Sequence, residues 1–173
     1  MQRMSSAQTR PAEHWYIAYT LPRHEKAIAQ RLTCGRVSCY VPLYSEARSW
    51  KRRRVHLELP LFPCYVFVRM HLEAKTALLS VPGVVRLLAA SGAAVVFPDQ
   101  EMEALQASLK QWSVRPYPFH SSGKRIRLKT GPFAGLEGTI LRRNGKRELI
   151  VSLDLIQSSM LVEIDTADAQ LCI

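Results

Sequence analysis

An α+β fold is what this sequence predicts: an N-terminal α/β sandwich carrying a basic β-hairpin, linked to a small five-stranded β-barrel. Three observations lead to it. Strand-like and helix-like segments alternate over the first two thirds of the chain. The stretch Ser113–Gly123, rich in proline and serine, then breaks that periodicity. Beyond it, short alternating segments are separated by turn residues. The expected division is a first domain at 1–112, with 1–14 disordered, a linker at 113–123, and a second domain at 124–173.

Each element has its own reason. Trp15–Thr20 is aromatic and β-branched, the composition of a buried strand. Pro22 closes it, and Glu25–Leu32 reads as a helix with Ile28 and Leu32 one turn apart and Arg23, Lys26 and Gln30 near one another on a polar face. Tyr40–Leu43 is extended, and Pro63–Arg69 is the strongest strand in the chain. Glu73–Leu79 is a short helix, followed by strands at Val84–Leu88 and Ala94–Phe97. Asp99 is placed to cap a last helix, with Glu101 and Glu103 in its first turn. Met102, Leu105, Leu109 and Trp112 make the buried stripe of that helix.

The second domain differs in kind. Arg125–Leu128, Gly138–Leu141, Leu149–Leu153 and Met160–Ile164 alternate apolar with polar. Asn144-Gly145 is a strong hairpin signal, because a type I′ turn needs positive φ at both central residues. Short strands with polar turns favour closure into a barrel, which removes exposed edges.

The chain has 173 residues, 47% hydrophobic and 22% charged, the balance of a globular protein. No apolar run approaches the roughly 20 residues that cross a bilayer, and residues 1–16 lack a signal-peptide core. A cytoplasmic protein without membrane contact is expected. Lys and Arg outnumber Asp and Glu by 24 to 14, a net charge of +10 that points to a polyanionic partner. Residues 1–112 hold +7 of it, so the polyanion is expected on the first domain. Cys34, Cys39, Cys64 and Cys172 form no C-x-x-C pair and read as buried structural thiols rather than zinc ligands or disulfides.

Two motifs stand out. Lys51, Arg52, Arg53 and Arg54 are consecutive cations between two extended runs, the pattern of a hairpin tip. Like charges this close repel by about 1 kcal/mol per pair at 4 Å even in water, and a phosphate backbone relieves that. A solvated, aggregation-deterring edge is the plainer alternative. The second motif, Leu59–Val68, puts Tyr65 and Phe67 on one strand face and Cys64, Val66 and Val68 on the other. Composition favours core for both faces, and an exposed apolar face would instead await a protein partner. The five histidines have no metal-binding spacing, and no nucleophile elbow, Walker loop or dinucleotide fingerprint occurs. No enzyme activity, metal or cofactor is expected.

Trp15-Tyr16, Pro22–Lys26, Pro60–Val68 and Pro82–Arg86 together resemble the N-terminal (NGN) domain of NusG-type transcription elongation factors. Gly131–Gly138 with Glu163–Asp165 resembles a KOW domain, and the likeness covers nearly everything from Trp15 onward. The Pro-Leu-Phe-Pro-x-Tyr run and the basic hairpin are more similar to specialised paralogues of the RfaH and polysaccharide-operon antiterminator type. The resemblance implies a factor that grips the clamp helices of the largest RNA polymerase subunit with Tyr19, Phe62, Tyr65 and Phe67. A further family aromatic is replaced by Ala90. It implies non-template DNA contacts by Arg23, Lys26, Arg31 and Arg86, while the hairpin at Lys51–Arg54 is left with either upstream DNA or nascent RNA. In the KOW-like part it implies a recruiting surface at Phe133, Leu155 and Ile156 for Rho or a small-subunit ribosomal protein. Ile156 stands where an aromatic is usual, and Gln157-Ser158 replace Gly-Arg, which weakens the expected Rho contact. Ile140, Ile150, Val151, Val162 and Ile164 favour strands over any helical refolding of this domain.

The expected function is a non-enzymatic transcription elongation or antitermination factor that suppresses pausing or termination, in an operon-specific way. A ribosome-associated RNA-binding KOW protein is the rival. It accounts for the charge and gives no role to Tyr65 and Phe67. A hydrolase with dispersed catalytic residues is a third.

Overall fold

The computed structural model describes residues 12–50, 53–118, 126–127, 137–143 and 146–164. The first part runs β1 (His14–Thr20), α1 (Glu25–Cys34), β2 (Ser38–Tyr40), β3 (Leu43–Trp50), β4 (Arg53–Pro60), β5 (Tyr65–Met70) and α2 (Lys75–Leu79). It continues with β6 (Val84–Leu87), β7 (Ala89–Ala90), β8 (Ala93–Ala94), β9 (Val96–Phe97) and α3 (Asp99–Gln111). The second part holds β10 (Val114–Tyr117), β11 (Ile126–Arg127), β12 (Glu137–Arg143), β13 (Lys146–Leu153) and β14 (Ser158–Ile164). The α+β class predicted from alternation is the observed one.

The first sheet has the order β2-β5-β1-β6, with β9 also pairing β1, and every pair is antiparallel. Because β1 is central, its period-two alternation sorts side chains between two cores. Tyr16 and Ala18 join Val66, Val68 and Met70 beneath α1 and α2, packed on Ile28, Leu32 and Leu78. The other face carries Trp15, Ile17 and Phe67 against Phe97 and against Met102, Ala104 and Leu105 of α3. That second core is continuous with Leu149, Val151, Leu153, Ile156, Met160 and Val162 of the second sheet.

Two local expectations change. His14 is paired with Met70 at the start of β1, and Glu13 lies 3.5 Å from His71. The expected disorder therefore fails at Glu13 and His14, while residues 1–11 lie outside the described residues. Asp99 is the first helical residue of α3, and Pro98, extended at ψ 136°, takes the cap position. Its charge still faces the positive end of the helix.

The predicted hairpin is present: β3 and β4 form their own two-stranded sheet, in register from Leu43↔Pro60 to Trp50↔Arg53. Lys51 and Arg52, expected at its tip, lie outside the described residues. At its base the Leu61 N–H donates to the Pro42 carbonyl at 2.8 Å.

Among the described residues the second part is a five-stranded antiparallel sheet in the order β10-β14-β13-β12-β11. The alternating segments account for four of these strands. The fifth, β10, comes from within the expected linker, where Val114–Tyr117 pair with Val162–Ser159. Pro116 concealed it. A proline lacks the N–H of a central strand, but among the described residues β10 is an outer strand, paired on one side by β14. The β12–β13 register, Arg143↔Lys146, brackets Asn144-Gly145, where a turn is expected and which lie outside the described residues. Gly138 is required by space: a Cβ there would sit 2.8 Å from the Ile150 carbonyl oxygen.

Candidate functional site

The aromatic surface is built at one end of the β1–β5 ladder. The register sets Tyr19 directly opposite Tyr65, and both side chains are half-buried. Their rings meet edge-on, 5.5 Å between centroids at 63°. Arg86, which β6 places opposite Tyr19, holds its guanidinium 5.2 Å from the centre of the Tyr19 ring. Such a contact contributes about 0.5–1 kcal/mol at an exposed site. Val85, next to Arg86, is 50% exposed. Burial pushes the Tyr65 phenol above its ordinary 10.0, Tyr19 adds to the shift and Arg86 opposes it. The phenol is therefore neutral across the physiological range.

Phe62 and Phe67, expected on the same surface, are not on it. Phe67 is fully buried and packs edge-on against Phe97 at 5.1 Å, and Phe62 is 1% exposed. Both belong to the core shared by α3 and the second sheet. Tyr65 packs against that core. Ala90 lies exposed in the small β7–β8 hairpin.

The cations divide in a way their spacing hides. Lys26 donates from Nζ to the Glu58 carbonyl at 2.7 Å, tying α1 to the base of the basic hairpin. Arg31 donates to the Pro82 carbonyl at 2.9 Å and so ties α1 to the turn before β6. Gly83 in that turn adopts φ +97°, and a Cβ there would meet His24 and Ile28 at 3.2 Å. Lys26, Arg31 and Arg86 thus hold the protein's own groups. Arg48 on β3 pairs with Glu46 at 3.2 Å, which keeps the Glu46 carboxyl below its ordinary range. Arg23, Arg53 and Arg54 are exposed and make no hydrogen bond or ion pair among the described residues. Arg23 stands at φ +65° in the turn between β1 and α1.

In the second part, Phe133 lies outside the described residues. Leu155 is 40% exposed, whereas Ile156 is 4% exposed and buried in the shared core. Of the residues expected to meet a partner, Leu155 is open to solvent and Ile156 is not. The reason is the turn itself: Asp154–Ile156 is a single 3-10 turn ended by Gln157 at φ +47°, and it points one residue in and one out. A cleft lies beside it, between Ser152–Leu155 and Val95–Pro98 with Glu101.

The cysteines depart from expectation too. Cys34 is exposed at the end of α1, and Cys39 and Cys64 are half-buried. Cys172 lies outside the described residues. Among the described residues no group of three His, Cys, Asp or Glu side chains could hold a metal ion, and no helix is long and apolar enough to cross a membrane.

Spacing did not single out Glu25. It is buried at 3% exposure, and its Oε1 accepts the Cys64 backbone N–H at 2.7 Å. The only trace in the sequence is its place at the helix start, which reads as an ordinary partner of the helix dipole.

Comparison with known proteins agrees with this architecture. Residues 13–106 match the family described as transcription termination factor nusG. The transcription termination/antitermination protein NusG of Vibrio parahaemolyticus is 27% identical over 172 residues, covering 90% of this chain and 93% of that one. The protein of the same name from Escherichia coli K12 is 27% identical over 177 residues, covering 92% and 97%. A solved structure described as domain interaction in Thermotoga maritima NusG superposes with a TM-score of 0.52 at 22% identity, over 87% of this chain and 92% of that one. At that identity the superposition speaks for the fold alone. With the family matched over more than half its length, the chain belongs to the NusG family of transcription termination and antitermination factors.

Proposed function

We propose that this protein binds RNA polymerase through the Tyr19–Tyr65 edge, which would lie against the clamp helices of the largest subunit. Arg23, Arg53 and Arg54, with Lys51 and Arg52 next to them in sequence, would restrain non-template DNA or nascent RNA. Bound in this way the protein suppresses pausing or termination at a restricted set of operons, as the specialised paralogues do. Leu155 and Phe133 offer the second domain's contact to Rho or a small-subunit ribosomal protein. The observation that carries the reading is the open tyrosine pair, backed by a sealed phenylalanine layer and flanked by Arg86.

The physics is that of a binding factor. Aromatic rings held rigidly at a half-open site bring apolar area at little entropic cost and are frequent hot spots. The free arginines supply the salt-sensitive term that holds a phosphate backbone. No covalent step is needed, only tighter binding to the elongating state than to the paused one. Transcription through a pause and a terminator with purified polymerase tests this. Added protein is expected to change dwell time or read-through, and unchanged values of both would overturn the proposal.

A further inference from the structure

We propose that Glu25 is a positioning residue that sets the aromatic edge through the turn before β5. This rests on the polymerase-binding reading of Tyr19 and Tyr65. The turn Leu61–Cys64 must deliver Tyr65 to the first place in β5, opposite Tyr19. Backbone bonds hold much of it: Leu61 N–H to the Pro42 carbonyl at 2.8 Å, Tyr65 N–H to the Phe62 carbonyl at 3.3 Å, and Thr20 N–H to the Cys64 carbonyl at 2.9 Å. The Cys64 N–H is left over. Cys64 stands at φ +67°, a region that residues other than glycine seldom adopt, so something must hold it there.

Glu25 does so, from 39 residues away in the chain, at 2.7 Å. The helix dipole does not account for this carboxylate, because an exposed acid in the first turn serves it without loss of hydration. Glu25 is 3% exposed, and no cation lies within ion-pair distance of it among the described residues. A buried carboxylate with one backbone donor at close range is the arrangement of a clamp. Its effect passes through Cys64 to the adjacent Tyr65, and it touches no partner itself.

The test is the affinity of the full chain for purified RNA polymerase, with foldedness checked by circular dichroism. Glu25→Asp keeps the charge but shortens the reach, and Glu25→Gln keeps the reach and an acceptor oxygen but loses the charge. Leaving a buried N–H unpaired costs enough that Glu25→Asp and Glu25→Ala are expected to weaken binding about tenfold, with Glu25→Gln staying within about threefold. In a Tyr65→Ala background, Glu25→Asp is expected to add less than about twofold, because both changes act on one group. Wild-type affinity in Glu25→Asp, or losses that multiply in the double variant, would overturn the positioning role while leaving the surface intact. Wild-type affinity in Tyr65→Ala would instead remove the surface, and the role of Glu25 with it. If Glu25→Ala does not fold, the Asp and Gln pair decides alone.

Discussion

Two neighbouring rungs of the same strand pair have opposite fates. Ile17↔Phe67 is sealed, and Tyr19↔Tyr65, two residues further along the same face, is open. Both rungs carry a ring on β5, so residue type cannot tell them apart. What differs is the cover: Phe97 of β9 lies on Phe67, while Tyr65, packed at the margin of the same core, stays half-buried beside Tyr19, which Arg86 flanks. A sheet face is therefore not one surface. Where the covering elements stop, about 7 Å along the strand, core becomes binding edge.

The largest expected effect breaks this contrast directly. Phe67→Ala should lose about 3–5 kcal/mol of stability in equilibrium denaturation, as a large buried ring does. Tyr65→Ala should lose less, about 0.5–1.5 kcal/mol for one aromatic pair plus the burial of a half-covered ring, and should chiefly reduce polymerase affinity. Reversal of the two stabilities would mean that the edge is core.

The cations offer the same contrast at a smaller scale. Arg53→Ala with Arg54→Ala should lower the salt slope of nucleic-acid binding by about 1 per arginine. Lys26→Met, which keeps the apolar stem and loses only the bond to Glu58, should leave that slope unchanged and make the hairpin easier to cleave in limited proteolysis. An equal loss of slope for Lys26 would assign it to phosphate after all.

These contrasts mark where the sequence was legible. Alternation at 65–68, the Ile28–Leu32 spacing and the Lys51–Arg54 run each reported a local pattern, and the strand, helix and hairpin formed there. The roles of Lys26, Arg31 and Glu25 depend on groups 32, 51 and 39 residues away. No window of the chain contains both partners, so a cation on a polar face reads as free whether or not it is. The burial of Phe62, Phe67 and Ile156 is likewise decided by α3 and the second sheet. Pro116 misled for a different reason, because whether a strand is outer or central is settled only by the finished topology.

Cys64 gives a milder effect. A non-glycine residue in the left-handed region costs roughly 1–2 kcal/mol, and the added freedom of glycine in the unfolded chain offsets part of it. Cys64→Gly should therefore raise the unfolding free energy by about 1 kcal/mol or less, with Tyr65 undisturbed. A loss of stability would show that its thiol is held by packing; burial first, and then Glu25, keeps that thiol protonated.

The smallest effect is pH dependence. The Tyr65 phenol is raised above 10.0, so the fold favours its neutral form. Its contribution is complete below the ordinary value and is lost as pH rises through the raised one. Tyr65→Phe should flatten the fall in unfolding midpoint above about pH 10, and an unaltered fall would place the titration elsewhere.

Hydroxyl-radical footprinting of the chain with and without RNA polymerase addresses the central claim most directly. Tyr19 and Tyr65 are expected to be reactive in the free protein and protected in the complex, with Phe67 silent in both. Equal reactivity of both tyrosines in the two states, with protection elsewhere, would contradict it.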